Sequence, residues 1–213
     1  MDNIILTLGS MSMLSAAIHQ SNVDAGWWTH HLTGESLLGN RLDDGRPIRN
    51  NGELMMLIVS ELSEGSEGAV DGRMDDKLPH RVMYEVELAD AAVRILDLGG
   101  ARKVDFDGIL RDLEEFEAFV NVDPAWMPDE ALMAIVNCIS AAMEGDRKDS
   151  ADKRVPTRKA FDVGLTRALA AIFAVGEMEN LNVMSALVEK WEFNKTRPDH
   201  QLENRRRAGG KVY

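Results

Sequence analysis

A single cysteine, Cys138, leaves no partner for a disulfide and no basis for a cysteine-rich metal site. Such usage fits a reducing cytoplasm. Positive charge is also scarce: 24 Lys and Arg stand against 36 Asp and Glu, a formal net charge of -12. A general nucleic-acid binder normally shows a basic footprint, so no nucleic-acid partner is expected. No apolar run approaches the ~18–20 residues needed to span a membrane, so no membrane association is expected. The N-terminal stretch carries Asp2, has no basic segment and breaks its apolar residues with polar ones, so no signal peptide is expected. Strand-like alternation is missing as well. What remains is a chain of 213 residues, long enough to bury a core, and it is expected to form one all-α domain over residues 1–213.

Helical spacing of apolar residues predicts helices at about 11–24, 53–71, 82–98, 105–121, 130–144, 157–175 and 178–193. Gly99-Gly100 is expected to stop the third, and Gly176 to separate the last two. Residues 33–52, 72–81 and 145–153 read as polar connections.

Chemistry concentrates in two of these helices. Leu54, Leu57, Ile58 and Glu61 follow the i, i+3, i+4, i+7 pattern, so Glu61 extends an apolar stripe, and Glu64 lies three residues further on. Chance alone supplies about six acidic i, i+3 pairs in a chain this acidic, so the pair means little by itself. A carboxylate on a core-facing stripe does need an explanation. Glu67 repeats the step but begins to leave the stripe. The helix at 82–98 is apolar nearly all round, with a narrow polar stripe of Glu87, Asp90, Arg94 and Asp97. That stripe is either a thin solvated edge with an internal salt bridge to Arg94 or the wall of a site within a bundle. Side by side, the two helices would aim Glu61, Glu64, Glu87 and Asp90 at one point. Four such charges in a partly dry site call for cations, and hard divalent metals with oxygen ligands, Mg²⁺ above all, suit them.

Two further stretches bear on ligands. Trp27 and Trp28 either anchor a loop on the core or offer a flat wall to a nucleobase, a contact worth roughly 1–3 kcal/mol. The neighbouring His30 and His31 are adjacent in sequence, and adjacent residues rarely converge on one ion. From Lys190 onwards the charge changes sign: Lys190, Lys195, Arg197, Arg205, Arg206, Arg207 and Lys211 are opposed by Glu192, Asp199 and Glu203. A basic arm over an acidic, metal-loaded pocket is what a polyphosphate requires. The plain alternative is a charged tail.

The spacing of Glu61, Glu64, Glu87 and Asp90, together with the Trp-Trp segment and the ending "EKWEFNKTRP…GGK", resembles the all-α nucleoside triphosphate pyrophosphohydrolases. That superfamily includes MazG-like enzymes and the dimeric dUTPases. The resemblance spans well over half the chain in the right order. It implies a helical bundle in which those four carboxylates bind Mg²⁺, or Mn²⁺ in its place, and a reaction that cleaves a (d)NTP to (d)NMP and pyrophosphate. Lys190, Asn194 and Arg197 match positions that contact phosphate and sugar, with Lys195 and Lys211 as helpers. It also implies a homodimer or homotetramer. Ser60 departs from relatives that carry two adjacent glutamates there, the segment after Pro198 is longer than in close relatives, and residues 104–128 and 145–157 look like additions to the minimal bundle. The competing expectations are a dUTP/dUDP diphosphatase and a non-catalytic protein that binds nucleotide or metal.

Overall fold

The computed structural model describes residues 10–39, 49–200 and 202–207. Among these residues the chain is all-helical: α1 (Met11–Asp24), α2 (Asn51–Asp71), α3 (Met83–Arg102), α4 (Phe106–Glu115), α5 (Pro128–Lys148), α6 (Ala160–Met178), α7 (Val183–Thr196) and the single turn α8 (Leu202–Arg205). A 3-10 turn at Pro198–His200 precedes α8. Among the described residues strand-like pairing is limited to three isolated bridges, Thr29–Ser36, Met74–Val82 and Ala151–Lys159. No described helix is long and apolar enough to cross a membrane.

The bundle is built around α3, which packs on α1, α2, α6 and α7. Its sequence explains the position. Val86, Leu88, Ala89, Ala91, Ala92, Ile95 and Leu96 surround the helix with apolar groups, and all are fully buried; a helix apolar on most sides must be covered on most sides. The α2–α3 pair is an antiparallel hairpin, since Gly68 meets Met83 and Tyr84 while Glu61, two turns earlier, meets Arg94. The α5–α6 pair runs the same way, with Gly145 against Ala160 and Phe161, and Gly164 against Ala142.

Local chemistry fixes the remaining ends. Ser10 caps α1, and the Asp107 carboxylate accepts the N–H groups of Met11 and Ser12, tying α4 to the start of α1. These donors have no partner within the helix, and a carboxylate at a helix N-terminus also meets the positive end of its dipole. The Ser15 hydroxyl donates to the Leu96 carbonyl across the α1–α3 contact.

Several boundaries differ from the expected ones. Gly99 and Gly100 do not stop α3, which runs on to Arg102 and ends with Lys103 in the left-handed region at φ 56°. The two glycines are contact points instead: a Cβ on Gly99 would stand 2.4 Å from the Phe106 ring, and one on Gly100 2.5 Å from His19 Cβ. Gly176 likewise lies inside α6, under Val183, and the break comes at Asn180. The helix expected over 105–121 closes at Glu115, because Glu117 takes φ 48° and the Ala118 N–H turns back to Leu113. The segment expected as a charged linker from 145 still belongs to α5 up to Lys148.

Replacing Gly100 with alanine would push α1 off α3, since His19 Cβ and the Ser15 carbonyl both lie within 3 Å of the new methyl. Overpacking of this kind costs about 1–3 kcal/mol. Thermal unfolding of Gly100→Ala should show a lower Tm; an unchanged Tm would mean that the helices separate at no cost.

Candidate metal and nucleotide site

Glu61 on α2 and Glu87 and Asp90 on α3 bring carboxylate oxygens within 4.8 Å of one another. Glu61 and Glu87 are 7 % and 5 % exposed, and Asp90 is half-buried. The hairpin places them. Glu61 holds the stripe position one turn after Leu57 and Ile58, and small Gly65 lets α3 approach, with Glu87 Cβ only 3.5 Å from where a Cβ on Gly65 would stand.

Each carboxylate finds a different cation. Arg94 holds Glu61 through Nε and Nη2, both 2.5 Å from Oε1. Lys190, reaching in from α7 and 3 % exposed, sets its ammonium 2.6 Å from Asp90 Oδ2. Burial works against that ammonium, but Asp90, with Asp75 and Glu87 nearby, more than offsets it, and the Lys190 pKa is raised. Glu87 has no such partner. Its Oε2 is buried without a hydrogen bond among the described residues, and burial, followed by the neighbouring Asp90 and Glu61 carboxylates, pushes its pKa up to about 9. Burial and then the Glu61 and Asp90 charges also raise Glu64.

These groups border a cavity of about 720 Å³ whose walls include Glu64, Asp97, Asn194, Arg197, Trp27 and Arg49. The polar stripe of α3 therefore lines this cavity. Arg94 makes no bridge within its own helix; it reaches across to α2, and Asp97 accepts from the Trp28 indole at 3.0 Å and pairs with His19 at 2.8 Å.

The expected site residues separate on inspection. Glu61, Glu87 and Asp90 converge. Glu64 lines the same cavity but is exposed and stands outside the tight cluster, because the buried stripe of α2 continues through Gly65 and Gly68. Glu67 points away and pairs with Arg73 at 2.9 Å. Trp27 lines the cavity, with the Arg205 guanidinium 3.9 Å from its ring and His200 edge-on at 5.1 Å. Trp28 is buried in the core, so of the two expected roles it takes that of anchor. Lys190, Asn194 and Arg197 share one wall, and Asn194 Oδ1 is a second buried atom of the cavity without a partner among the described residues. Lys195 is turned outward, over the Trp191 ring and paired with Glu192: at five residues from Lys190 it lies off the face that α7 gives to the cavity. Lys211 falls outside the described residues. Arg205, read from sequence as part of a basic run, is buried and donates to the Gly26 carbonyl at 2.8 Å, supporting the Trp27 segment.

Sequence reasoning passed over Arg49 and Asp75. Arg49 lies in a segment read as loop, donates to the Trp27 carbonyl at 3.1 Å and reaches the cavity. Asp75 is buried, and its carboxylate accepts the N–H groups of Lys77 and Leu78, which shapes the α2–α3 turn. An Asp two residues before such a turn was a legible signal for the loop; nothing local tied Arg49 to the site.

No family model, curated protein or solved structure matches this chain. The chemistry of the site therefore stands on its own geometry.

Glu87 gives a pH signature. A carboxyl whose folded pKa is raised binds more protons folded than unfolded, so its contribution falls as pH rises from about 4.5 to about 9. Metal-free protein should lose stability across that range, and Glu87→Gln should flatten the loss and raise the Tm at pH 8. Melting curves with a chelator from pH 5 to 9 check this; the same slope in the variant would remove Glu87 as its source.

Proposed function

We propose that this protein is a Mg²⁺-dependent nucleoside triphosphate pyrophosphohydrolase, yielding nucleoside monophosphate and pyrophosphate and acting on the nucleotide pool. The observation that carries the reading is the buried Oε2 of Glu87, without a hydrogen-bond partner among the described residues, within a three-carboxylate cluster that faces a cavity with Lys190 and Arg197 on its wall. A buried carboxylate with no donor is costly, and an all-oxygen donor set is one that a hard divalent cation satisfies.

In this reading Glu61, Glu87 and Asp90 hold the cation. A bound Mg²⁺ supplies charge to neutralise phosphate oxygens and acidifies water for attack on the α-phosphorus. The chain's own groups do the rest. Glu64, which makes no hydrogen bond or ion pair among the described residues and has a raised pKa, accepts the proton of the attacking water. The oxygen–phosphorus bond to water forms as the bond to the pyrophosphate oxygen breaks. Arg197, which Asp199 holds at 2.6 and 3.0 Å, and Lys190 offer cations to the leaving phosphates. Asn194 Oδ1, without a partner among the described residues, is the acceptor for a sugar hydroxyl or phosphate-bound water, and Trp27 presents a face for the base. Asp90 plays two parts, cation ligand and counter-charge to Lys190, so its removal would strand a buried ammonium.

Product analysis on a panel of NTPs and dNTPs, with Mg²⁺ and with a chelator, tests the reading. Monophosphate plus pyrophosphate, only with metal, is expected; monophosphate from dUDP as well would select the diphosphatase variant of the same chemistry. No turnover of any nucleotide with active-site residues intact would remove the enzymatic reading. Glu64→Gln should cut kcat by about 10²–10⁴-fold with little change in Tm, as read from initial rates. Arg197→Ala should chiefly raise KM.

A further inference from the structure

The two helical hairpins coincide when the chain is slid along itself by 77 positions. Both first helices then share their bounds, Asn51–Asp71 on Pro128–Lys148, and both second helices start together, Met83 on Ala160. The left-handed residues coincide too: Gly72 on Asp149 and Lys103 on Asn180. The connecting turns are the same structure made twice. Asp75 Oδ1 accepts the N–H groups of Lys77 and Leu78, and Asp152 Oδ1 those of Arg154 and Val155. The bridge Met74–Val82 answers Ala151–Lys159, and Pro79 and Arg81 answer Pro156 and Arg158. Both hairpins cross most closely at a glycine, Gly68 or Gly145, set against the first two residues of the returning helix. A turn motif can arise twice by its own local chemistry. Nothing local requires the caps, the close crossing and the turn to keep one register over two helices.

The copies part company at the candidate centre. Where the first hairpin has Glu61, Glu64, Glu87 and Asp90, the second has Cys138, Ala141, Gly164 and Arg167. The change is compensated in packing. The first hairpin pairs Gly65 with Glu87; the second reverses the sizes, pairing Ala142 with Gly164, and a Cβ on Gly164 would lie 2.6 Å from the Ala142 nitrogen. Charge is compensated as well. In the first copy Asp90 needs the ammonium of Lys190, sent from another helix. In the second, the residue at that position is itself the cation: Arg167 places Nη1 and Nη2 3.1 and 3.4 Å from the Asp152 carboxylate and Nε 2.8 Å from the Ala118 carbonyl.

We infer that the chain is an internal duplication of one helical hairpin, whose second copy has exchanged the cation centre for the Arg167–Asp152 ion pair and now serves as scaffold, leaving one centre per chain. The count of centres rests on the metal reading above; the duplication and the exchange do not. Two measurements on the full chain test it. Mn²⁺ titration followed by EPR should show tight binding that is lost in Glu61→Gln/Glu87→Gln and kept in Arg167→Met. A double-mutant cycle of Asp152→Asn and Arg167→Met, melted with chelator present, should show each single change lowering the Tm by several degrees and the pair costing less than their sum. A class of Mn²⁺ sites lost on Asp152→Asn, or additive single effects, would overturn the inference. Absence of Mn²⁺ binding in the wild type would overturn the metal reading alone, with the cycle still deciding the ion-pair exchange.

Discussion

Glu87 sets the terms for the first half of the molecule. Burial between α2 and α3 and the Asp90 and Glu61 charges beside it push the Glu87 carboxyl up to about 9, one of its oxygens has no hydrogen-bond partner among the described residues, and the neighbouring elements answer the charges of Glu61 and Asp90. Arg94 crosses from α3 to Glu61, and α7 delivers Lys190 to Asp90 from a nearly buried position. Replacing such a cluster with apolar side chains is often neutral or stabilising. The bundle's stability therefore does not require this cluster, and ligand binding is the role proposed for it above.

Small residues make the cluster geometrically available. Gly65 and Gly68 draw α3 onto α2, so that Glu87 and Asp90 arrive level with Glu61. Gly99 and Gly100 let α4 and α1 close over the far end of α3. The resulting cavity is lined by charges of both signs: carboxylates from the hairpin beside cations from the hairpin itself (Arg73, Lys77 and Arg94), from α7 and from the stretch before α2. The proposed polyphosphate, bridged to a cation, would meet partners of both kinds there.

The second hairpin shows the same architecture with the opposite solution. Arg167 meets Asp152 directly, Gly164 lets Ala142 fill the space, and the Cys138 thiol is pushed up by burial to about 11, which keeps it protonated near neutrality. Satisfied in that way, the pair asks for no ligand. On the proposed reading the two hairpins of one build differ in this respect: the second is neutralised within itself, whereas the first would leave room for a cation from outside.

Much of this was written in the sequence. Helical periodicity determined the all-α class, and the placement of Glu61 on an apolar stripe and of Glu87 and Asp90 on a helix apolar elsewhere marked the buried cluster, because burial follows from spacing along a single helix. Tertiary structure decided the rest. Glu64 and Lys195 lay at helical spacings compatible with the site, but which side of α2 and α7 faces inward depends on neighbouring helices, and packing left one at the cavity's edge and turned the other to solvent. Adjacent Trp27 and Trp28 were equal candidates until the loop sent one into the core and the other to the cavity wall. Gly99, Gly100 and Gly176 resembled stops because glycine is a weak helix former, yet close helix crossings needed them inside helices, and interhelical packing outweighed a propensity of about 1 kcal/mol. Spacing within one helix is local and legible; the direction in which that helix turns is set by its partners.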